Sequence, residues 1–255
     1  MNHHIVLIHG AWQGSWAFDA WTPYLRAQGW KPHGIDLPGN GWGNPGPASL
    51  AAYVDHVCAV LNDIGEPVVL VGHSGGGLIA TAVAERMPER IVCLVYLAGM
   101  MLPSGMSYAE LIRQVASEMP GVDLTGIGAR LVWTPDRRFS IVPEDAALAV
   151  FLQDCDEVAA RQAAAKLRPQ DEAGRAIIIE WTTARAGRVP RIYVEARQDL
   201  SVPLVLQRRM QELVPGAHCI SLDCGHVPQL AQPGELTKQL AKMLAGFSTT
   251  RPATA

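Results

Sequence analysis

The residues of this chain best suited to chemistry are grouped around one serine. Positions 72–76 read Gly-His-Ser-Gly-Gly, a Gly-x-Ser-x-Gly motif centred on Ser74. An apolar, β-branched run at 68–71 precedes the motif, and a helical pattern of apolar residues follows it. In that context the serine occupies a sharp strand-to-helix turn, where the helix N-terminus favours developing negative charge. We therefore expect Ser74 to be a nucleophile.

A serine hydroxyl is a weak nucleophile until a histidine, itself held by a carboxylate, takes its proton. Where such a serine turn follows a strand of a mostly parallel sheet, the acid and then the histidine come later in the chain, each just after a strand. His226 follows the last predicted strand and Asp199 follows the strand before it, so we predict that they are the base and the acid. The competing acids, expected in a loop, a strand and a turn respectively, are Asp36, Glu195 and Asp223.

Acyl transfer also needs two backbone N–H groups to bind the oxyanion. One is expected from Gly75, the residue after the nucleophile, and the other from the loop after the first strand, which reads His-Gly-Ala-Trp at 9–12. Gly10 lets the backbone turn there, which makes Ala11 the predicted second donor. We interpret His9 and His73 as structural residues.

These residues need a sheet to position them, and the chain alternates strand-like and helix-like patterns. Strands are predicted at 5–8, 31–35, 68–71, 91–97, 191–195 and 218–222. Helices are predicted at 16–28, 50–64, 76–87, 203–213 and 233–244, with Ser49 as the N-cap of the second. Buried strands separated by helices predict an α/β fold, with a six-stranded, mostly parallel sheet flanked by helices and right-handed crossovers.

The alternation stops between residues 102 and 188. This proline-containing segment has helix candidates at 108–116, 143–152 and 157–166, and we predict a mainly helical lid inserted after the fourth strand. The core would comprise 1–101 and 189–248, and residues 249–255 would form a flexible tail. A hydrophobic substrate pocket is expected beneath the lid. The candidate lining residues are Trp12, Leu102, Trp133, Phe139 and Val227.

Composition excludes several classes of protein. The 255 residues are 49% hydrophobic and 18% charged, which is typical of a globular chain. A net charge of −3 with no basic run argues against a nucleic-acid partner, and no apolar stretch of 18 residues is present to span a membrane. The five cysteines form no CxxC pair and the N-terminus has no signal-peptide pattern, so we expect a cytoplasmic protein.

Taken together, the motifs resemble those of the α/β-hydrolase superfamily. The resemblance is strongest to a small subfamily that contains plant methylesterases, plant hydroxynitrile lyases and bacterial pyrethroid-hydrolysing esterases. The stretches most typical of that subfamily are 5–16 and 191–210, the second being most like the pyrethroid-esterase branch. The resemblance implies a Ser-His-Asp triad, no cofactor, a lid-covered apolar pocket and a small-molecule ester substrate, and it allows a homodimer.

Two departures from the subfamily separate the possible activities. Its lyases carry a threonine in the first-strand loop and a lysine directly after the histidine, whereas this chain has Gly10 and Val227 there. Neither residue can take over those polar roles. The sequence therefore favours a carboxylesterase acting on apolar or aromatic esters, such as pyrethroid-like or terpenoid esters. The alternatives are a hydroxynitrile or other carbon–carbon lyase, a cofactor-free haloperoxidase or acyltransferase, and a ligand-binding protein with little turnover.

Overall fold

A six-stranded parallel sheet forms the centre of the molecule. The computed structural model describes residues 3–41 and 43–248, so the predicted tail lies outside the described residues. The strands of the sheet are β1 (His3–Ile8), β2 (Trp30–Ile35), β3 (Val68–His73), β4 (Ile91–Leu97), β8 (Arg191–Ala196) and β9 (His218–Leu222). Their order is β2-β1-β3-β4-β8-β9, and every neighbouring pair is parallel. The predicted α/β fold is confirmed.

Both faces of the sheet are buried because helices cover them. The helices are α1 (Thr22–Ala27), α2 (Leu50–Ile64), α3 (Gly76–Arg86), α4 (Tyr108–Glu118), α5 (Glu144–Val150), α6 (Glu157–Lys166), α7 (Leu204–Leu213), α8 (Pro228–Ala231) and α9 (Pro233–Ser248). Side chains of β1 alternate between the faces. Ile5 and Leu7 join the apolar cluster that includes Leu240 of α9, and Val6 and Ile8 join the cluster that includes Val57 of α2.

The helix ends follow from local chemistry. Helix α2 spans the predicted residues, and the Ser49 hydroxyl accepts a hydrogen bond from the N–H of Ala52 at 3.3 Å, as expected of its N-cap. The helix predicted at 16–28 was wrong as a single element. A short 3-10 turn at Ser15–Phe18 precedes α1, which has Pro23 in its first turn. Proline lacks an N–H group, so it starts a helix more easily than it continues one.

The insert, which we define as residues 102–188, contains more than helices. Alongside α4, α5 and α6 it has three short strands, β5 (Val132–Trp133), β6 (Phe139–Ile141) and β7 (Gln170–Asp171), which form an antiparallel sheet in that order. Strands of two or three residues carry no readable periodicity, which is why the sequence indicated only helices. No helix of the described chain is both long enough and apolar enough to cross a membrane.

Candidate active site

Ser74 lies in a strained turn between β3 and α3. Its φ of 52° is in the left-handed region that non-glycine residues rarely occupy. A Cβ added to Gly72 would lie 2.5 Å from the carbonyl oxygen of Gly76, and one added to Gly76 would lie 2.7 Å from that of Ile8. The glycines of the motif are therefore needed for the close approach of β3, α3 and β1. The turn is held by a hydrogen bond from the Ser74 N–H to the Leu97 carbonyl at 3.2 Å.

His226 and Asp199 are brought together at the carboxyl ends of the neighbouring strands β9 and β8. The Nδ1 atom of His226 lies 2.8 Å from Oδ2 of Asp199, and both side chains are buried. The other carboxylate oxygen accepts the backbone N–H groups of Ser201 and Val202 at 2.7 and 2.8 Å, and Gln207 donates to Oδ2 at 3.3 Å. The carboxylate is therefore fixed by donors on every side.

The competing carboxylates are placed elsewhere. Asp36 accepts from the backbone and hydroxyl of Ser15, and Glu195 pairs with Arg208. Asp223 is exposed and binds Gln198 at 2.8 Å. Among the described residues, none of these three carboxylates is hydrogen-bonded to His226.

His226 is next to the serine turn, although no hydrogen bond joins its ring to the Ser74 hydroxyl in the described residues. The rings of His226 and His73 have centroids 4.9 Å apart, and Nε2 of His73 donates to the His226 carbonyl at 2.9 Å. The ring of Phe151, in the insert, also stacks on the His226 ring, with the two centroids 5.3 Å apart. The imidazole is thus positioned by one residue of the serine turn and one of the insert.

Two backbone N–H groups near Ser74 have no acceptor among the described residues, those of Ala11 and Gly75. The N–H groups on either side of Ala11 are both engaged. Gly10 donates to Gln13 Oε1 at 3.4 Å and Trp12 donates to Gln170 Oε1 at 3.2 Å. A Cβ on Gly10 would lie 2.8 Å from Cβ of Ser74, so the loop after β1 lies directly against the serine turn.

The two flanking histidines are buried and neutral. Burial lowers the pKa of His9, partly offset by its hydrogen bond to the Gly10 carbonyl at 2.8 Å. Its Nε2 accepts the N–H of Leu37, which ties the loop after β1 to the end of β2. Burial also lowers the pKa of His73 to about 3, helped by the charge of nearby His226 when that is protonated. The interpretation of both as structural residues stays a prediction.

Trp12 joins the loop after β1 to the insert through three groups. Its N–H donates to Gln170, its carbonyl accepts the N–H of Arg168 at 2.9 Å, and its indole Nε1 donates to the carbonyl and hydroxyl of Ser140 at 3.2 and 3.1 Å. Trp12 has a φ of 62°, a second left-handed conformation beside the serine. The insert therefore fixes the loop that carries the N–H of Ala11.

A cavity of about 290 Å³ opens beside Ser74. Of the five predicted lining residues, Trp12 lies in the cavity wall, and the other four lie elsewhere in the structure. Leu102 is buried in the main core, and Val227 packs in an apolar cluster with Phe151. The other two lie on the insert sheet beneath guanidinium groups, Trp133 under Arg137 at 4.6 Å and Phe139 under Arg138 at 5.0 Å.

Sequence reasoning missed the polar part of the cavity wall, which includes Asn40, Tyr53, Tyr108, Gln170 and Arg175. Nε and Nη2 of Arg175 form two hydrogen bonds with the Glu172 carboxylate, at 2.6 and 2.7 Å. Asn40 belongs to the glycine-rich loop after β2, whose composition gives one usable signal. The positions of Gln170 and Arg175 in the insert carry no comparable sequence signal.

Comparison with known proteins gives both similar sequences and a similar solved structure. A pyrethroid hydrolase from Sphingobium wenxiniae is 28% identical over 249 residues, covering 93% of this chain and 86% of that protein. Methylesterase 18 from Arabidopsis thaliana is 28% identical over 264 residues, covering 97% and 99%. The crystal structure of a pyrethroid hydrolase from Sphingobium faniae JZ-2 superposes with a TM-score of 0.84 at 24% identity, covering 98% and 99%. The model of the alpha/beta hydrolase family matches residues 5–239, and the chain belongs to that family.

Proposed function

We propose that this chain is a serine carboxylic-ester hydrolase that uses Ser74, His226 and Asp199. The observation that carries the proposal is the convergence of three features. Ser74 sits on a strained turn beside two N–H groups that have no acceptor among the described residues, and next to a buried imidazole that is hydrogen-bonded to a fixed carboxylate. The relatives named above, a pyrethroid hydrolase and a methylesterase, support ester hydrolysis.

The mechanism follows from the roles of these groups. Ser74 attacks the ester carbonyl while Nε2 of His226 takes its proton, and the N–H groups of Ala11 and Gly75 bind the oxyanion. His226 then protonates the leaving alcohol. A water deprotonated by His226 attacks the acyl-enzyme and releases the acid, and the proton returns to Ser74. Asp199 holds the imidazole with its proton on Nδ1 and stabilises the imidazolium that forms.

The proposed substrates are small apolar or aromatic esters. A volume of about 290 Å³ is at the lower end of the range for ligand pockets, which favours a compact acyl or alcohol group. Apolar side chains from the insert, among them Ile112 and Ile177, line part of the wall. We propose that the insert acts as the lid of this cavity, and that a larger ester places its second half towards solvent.

The test is hydrolysis of p-nitrophenyl acetate and butyrate by wild-type protein and Ser74→Ala. Loss of the nucleophile is expected to lower kcat by roughly 10⁴ or more. The matched control is Ser117→Ala, which removes an exposed hydroxyl bonded to its own helix. A folded wild-type protein without turnover, or a Ser74→Ala variant that retains it, would contradict the proposal. Binding without turnover would instead favour a ligand-binding protein.

A further inference from the structure

Asn40 presents an unused hydrogen-bond donor to the cavity beside Ser74. The side chain lines the cavity and the residue is only 4% exposed. Its amide oxygen accepts the Tyr53 hydroxyl at 3.0 Å and Nε2 of Gln170 at 3.3 Å. Both lone-pair directions of the oxygen are therefore occupied. The Nδ2 group has no hydrogen-bond partner among the described residues.

The orientation of this amide is fixed by the backbone through a second amide. The oxygen of Gln170 accepts the N–H of Trp12 at 3.2 Å, and its nitrogen donates to the Asp171 carbonyl at 3.1 Å. Backbone N–H and C=O groups cannot exchange roles, so Gln170 has one consistent orientation. Its Nε2 then faces Asn40 as a donor, which requires the oxygen of Asn40 on that side. The NH₂ group of Asn40 is thereby directed to the cavity.

The cavity wall around Asn40 carries no net charge. Arg175 is paired with Glu172 through two hydrogen bonds, and His9 is neutral because burial lowers its pKa. An ionised carboxylate in such a place would lose its hydration without a free counter-charge. An uncharged oxygen acceptor would instead satisfy a donor that is otherwise left unpaired.

We propose that Asn40 is a specificity-determining residue that donates a hydrogen bond to a second, uncharged oxygen of the substrate. That oxygen belongs to an ether, ketone or hydroxyl group carried in addition to the reacting ester. The inference rests on the proposed esterase function and narrows its substrate class to neutral esters with a second acceptor oxygen.

The test compares p-nitrophenyl esters that differ by one oxygen. The pairs are methoxyacetate with butyrate, 3-methoxypropanoate with pentanoate, and 4-oxopentanoate with 4-methylpentanoate. For each ester kcat/KM is divided by its rate constant for hydroxide hydrolysis, which removes differences in intrinsic reactivity. We expect at least one pair to show a preference of about 5- to 10-fold for the oxygen-containing ester, the size of one neutral hydrogen bond.

Asn40→Asp keeps an oxygen for Tyr53 and Gln170 but replaces the donor with an acceptor, so the preference is expected to fall to one or below. Asn40→Ala is a second variant without the donor, and its preference for the oxygen-containing ester is likewise expected to fall to one or below. Tyr53→Phe is the matched control, because Gln170 still orients the amide, and it should keep the preference within about twofold. Because the result is a ratio, a uniform loss of activity in a variant cancels.

The outcomes separate this inference from the esterase proposal. If the wild-type protein hydrolyses none of the esters whose acyl chains lack a second oxygen, the esterase proposal itself fails. If it hydrolyses them with no oxygen preference in any pair, the role of Asn40 is refuted while the esterase proposal stands. The hydroxyl of Tyr108, in the wall of the same cavity, also has no hydrogen-bond partner among the described residues. A preference that survives both Asn40 variants, or that is lost only in a Tyr108→Phe variant, also refutes the role of Asn40.

Discussion

The hydrogen bonds of Asp199 allow the effect of Asp199→Asn to be worked out atom by atom. One carboxylate oxygen accepts two backbone N–H groups, from Ser201 and Val202, and the other faces His226 and Gln207. Asparagine has a single oxygen. Because the backbone groups can only donate, that oxygen must take the place of Oδ1. The NH₂ group then takes the place of Oδ2 and points a donor at the imidazole.

The consequence is a change of tautomer rather than a loss of the base. To accept from the new NH₂ group, His226 must carry its proton on Nε2, the nitrogen proposed to accept the proton of Ser74. We expect kcat to fall about 10⁴-fold, equivalent to roughly 5.5 kcal/mol of lost transition-state stabilisation. KM should change little, because neither Asp199 nor His226 is among the residues that line the cavity. Steady-state kinetics with p-nitrophenyl butyrate measure both values.

Asp223→Asn is the matched control, because it makes the same change at an exposed carboxylate three positions before His226. It should retain activity within about twofold. Thermal melting shows whether Asp199→Asn is folded at the assay temperature. A folded Asp199→Asn protein with a tenth or more of wild-type kcat, or a comparable loss in Asp223→Asn, would refute the assignment of the acid.

Three further predictions follow from other contacts. Gly72→Ala should cost about 3 kcal/mol and lower Tm by roughly 6–10 °C because its Cβ would meet backbone atoms, whereas Gly75→Ala, with open space, should melt near wild type. Burial lowers the pKa of His73 to about 3 in the folded protein, against 6.5 in the unfolded chain. The contribution of neutral His73 to the free energy of unfolding is therefore fully present above pH 6.5 and is lost as the pH falls towards 3. In urea unfolding, His73→Gln should lose about 2 kcal/mol less than wild type between pH 7 and pH 5, and equal losses would contradict this. Glu172→Gln removes the carboxylate that pairs with Arg175 and leaves its guanidinium free to pair with a carboxylate of the substrate. The kcat/KM for p-nitrophenyl hemisuccinate should therefore rise about tenfold relative to that for p-nitrophenyl butyrate. An unchanged ratio would contradict the pairing argument.

The sheet and the serine turn were predictable because their physical requirements are local. A buried parallel strand needs an unbroken apolar run, and the turn at Ser74 needs glycines where β1 and α3 approach within van der Waals contact. Both requirements are written in adjacent residues. The proposed acid and base were also accessible, because strand order alone brings the ends of β8 and β9 together.

The cavity wall was not predictable, because it is assembled from residues far apart in the chain. Hydrophobicity indicates that Trp133 and Phe139 should be covered, but it does not say by what. In the structure, guanidinium groups lie over both rings, and the residues are not in the cavity wall. Gln170 belongs to the two-residue strand β7 and accepts a hydrogen bond from Trp12, 158 positions away in the sequence. No local pattern encodes such a contact.

The three attachments of Trp12 to the insert would couple any opening of the proposed lid to the geometry of the loop beside Ser74. Any movement that separated Gln170, Arg168 and Ser140 from Trp12 would free a residue held in a left-handed conformation, one position after Ala11. The loop after β1 would then relax, and the N–H of Ala11 would no longer point towards the position of the oxyanion. Opening for substrate exchange and competence for acyl transfer would thus be mutually exclusive states. Such coupling would protect a reactive serine from chance encounters whenever its cavity stands open to solvent.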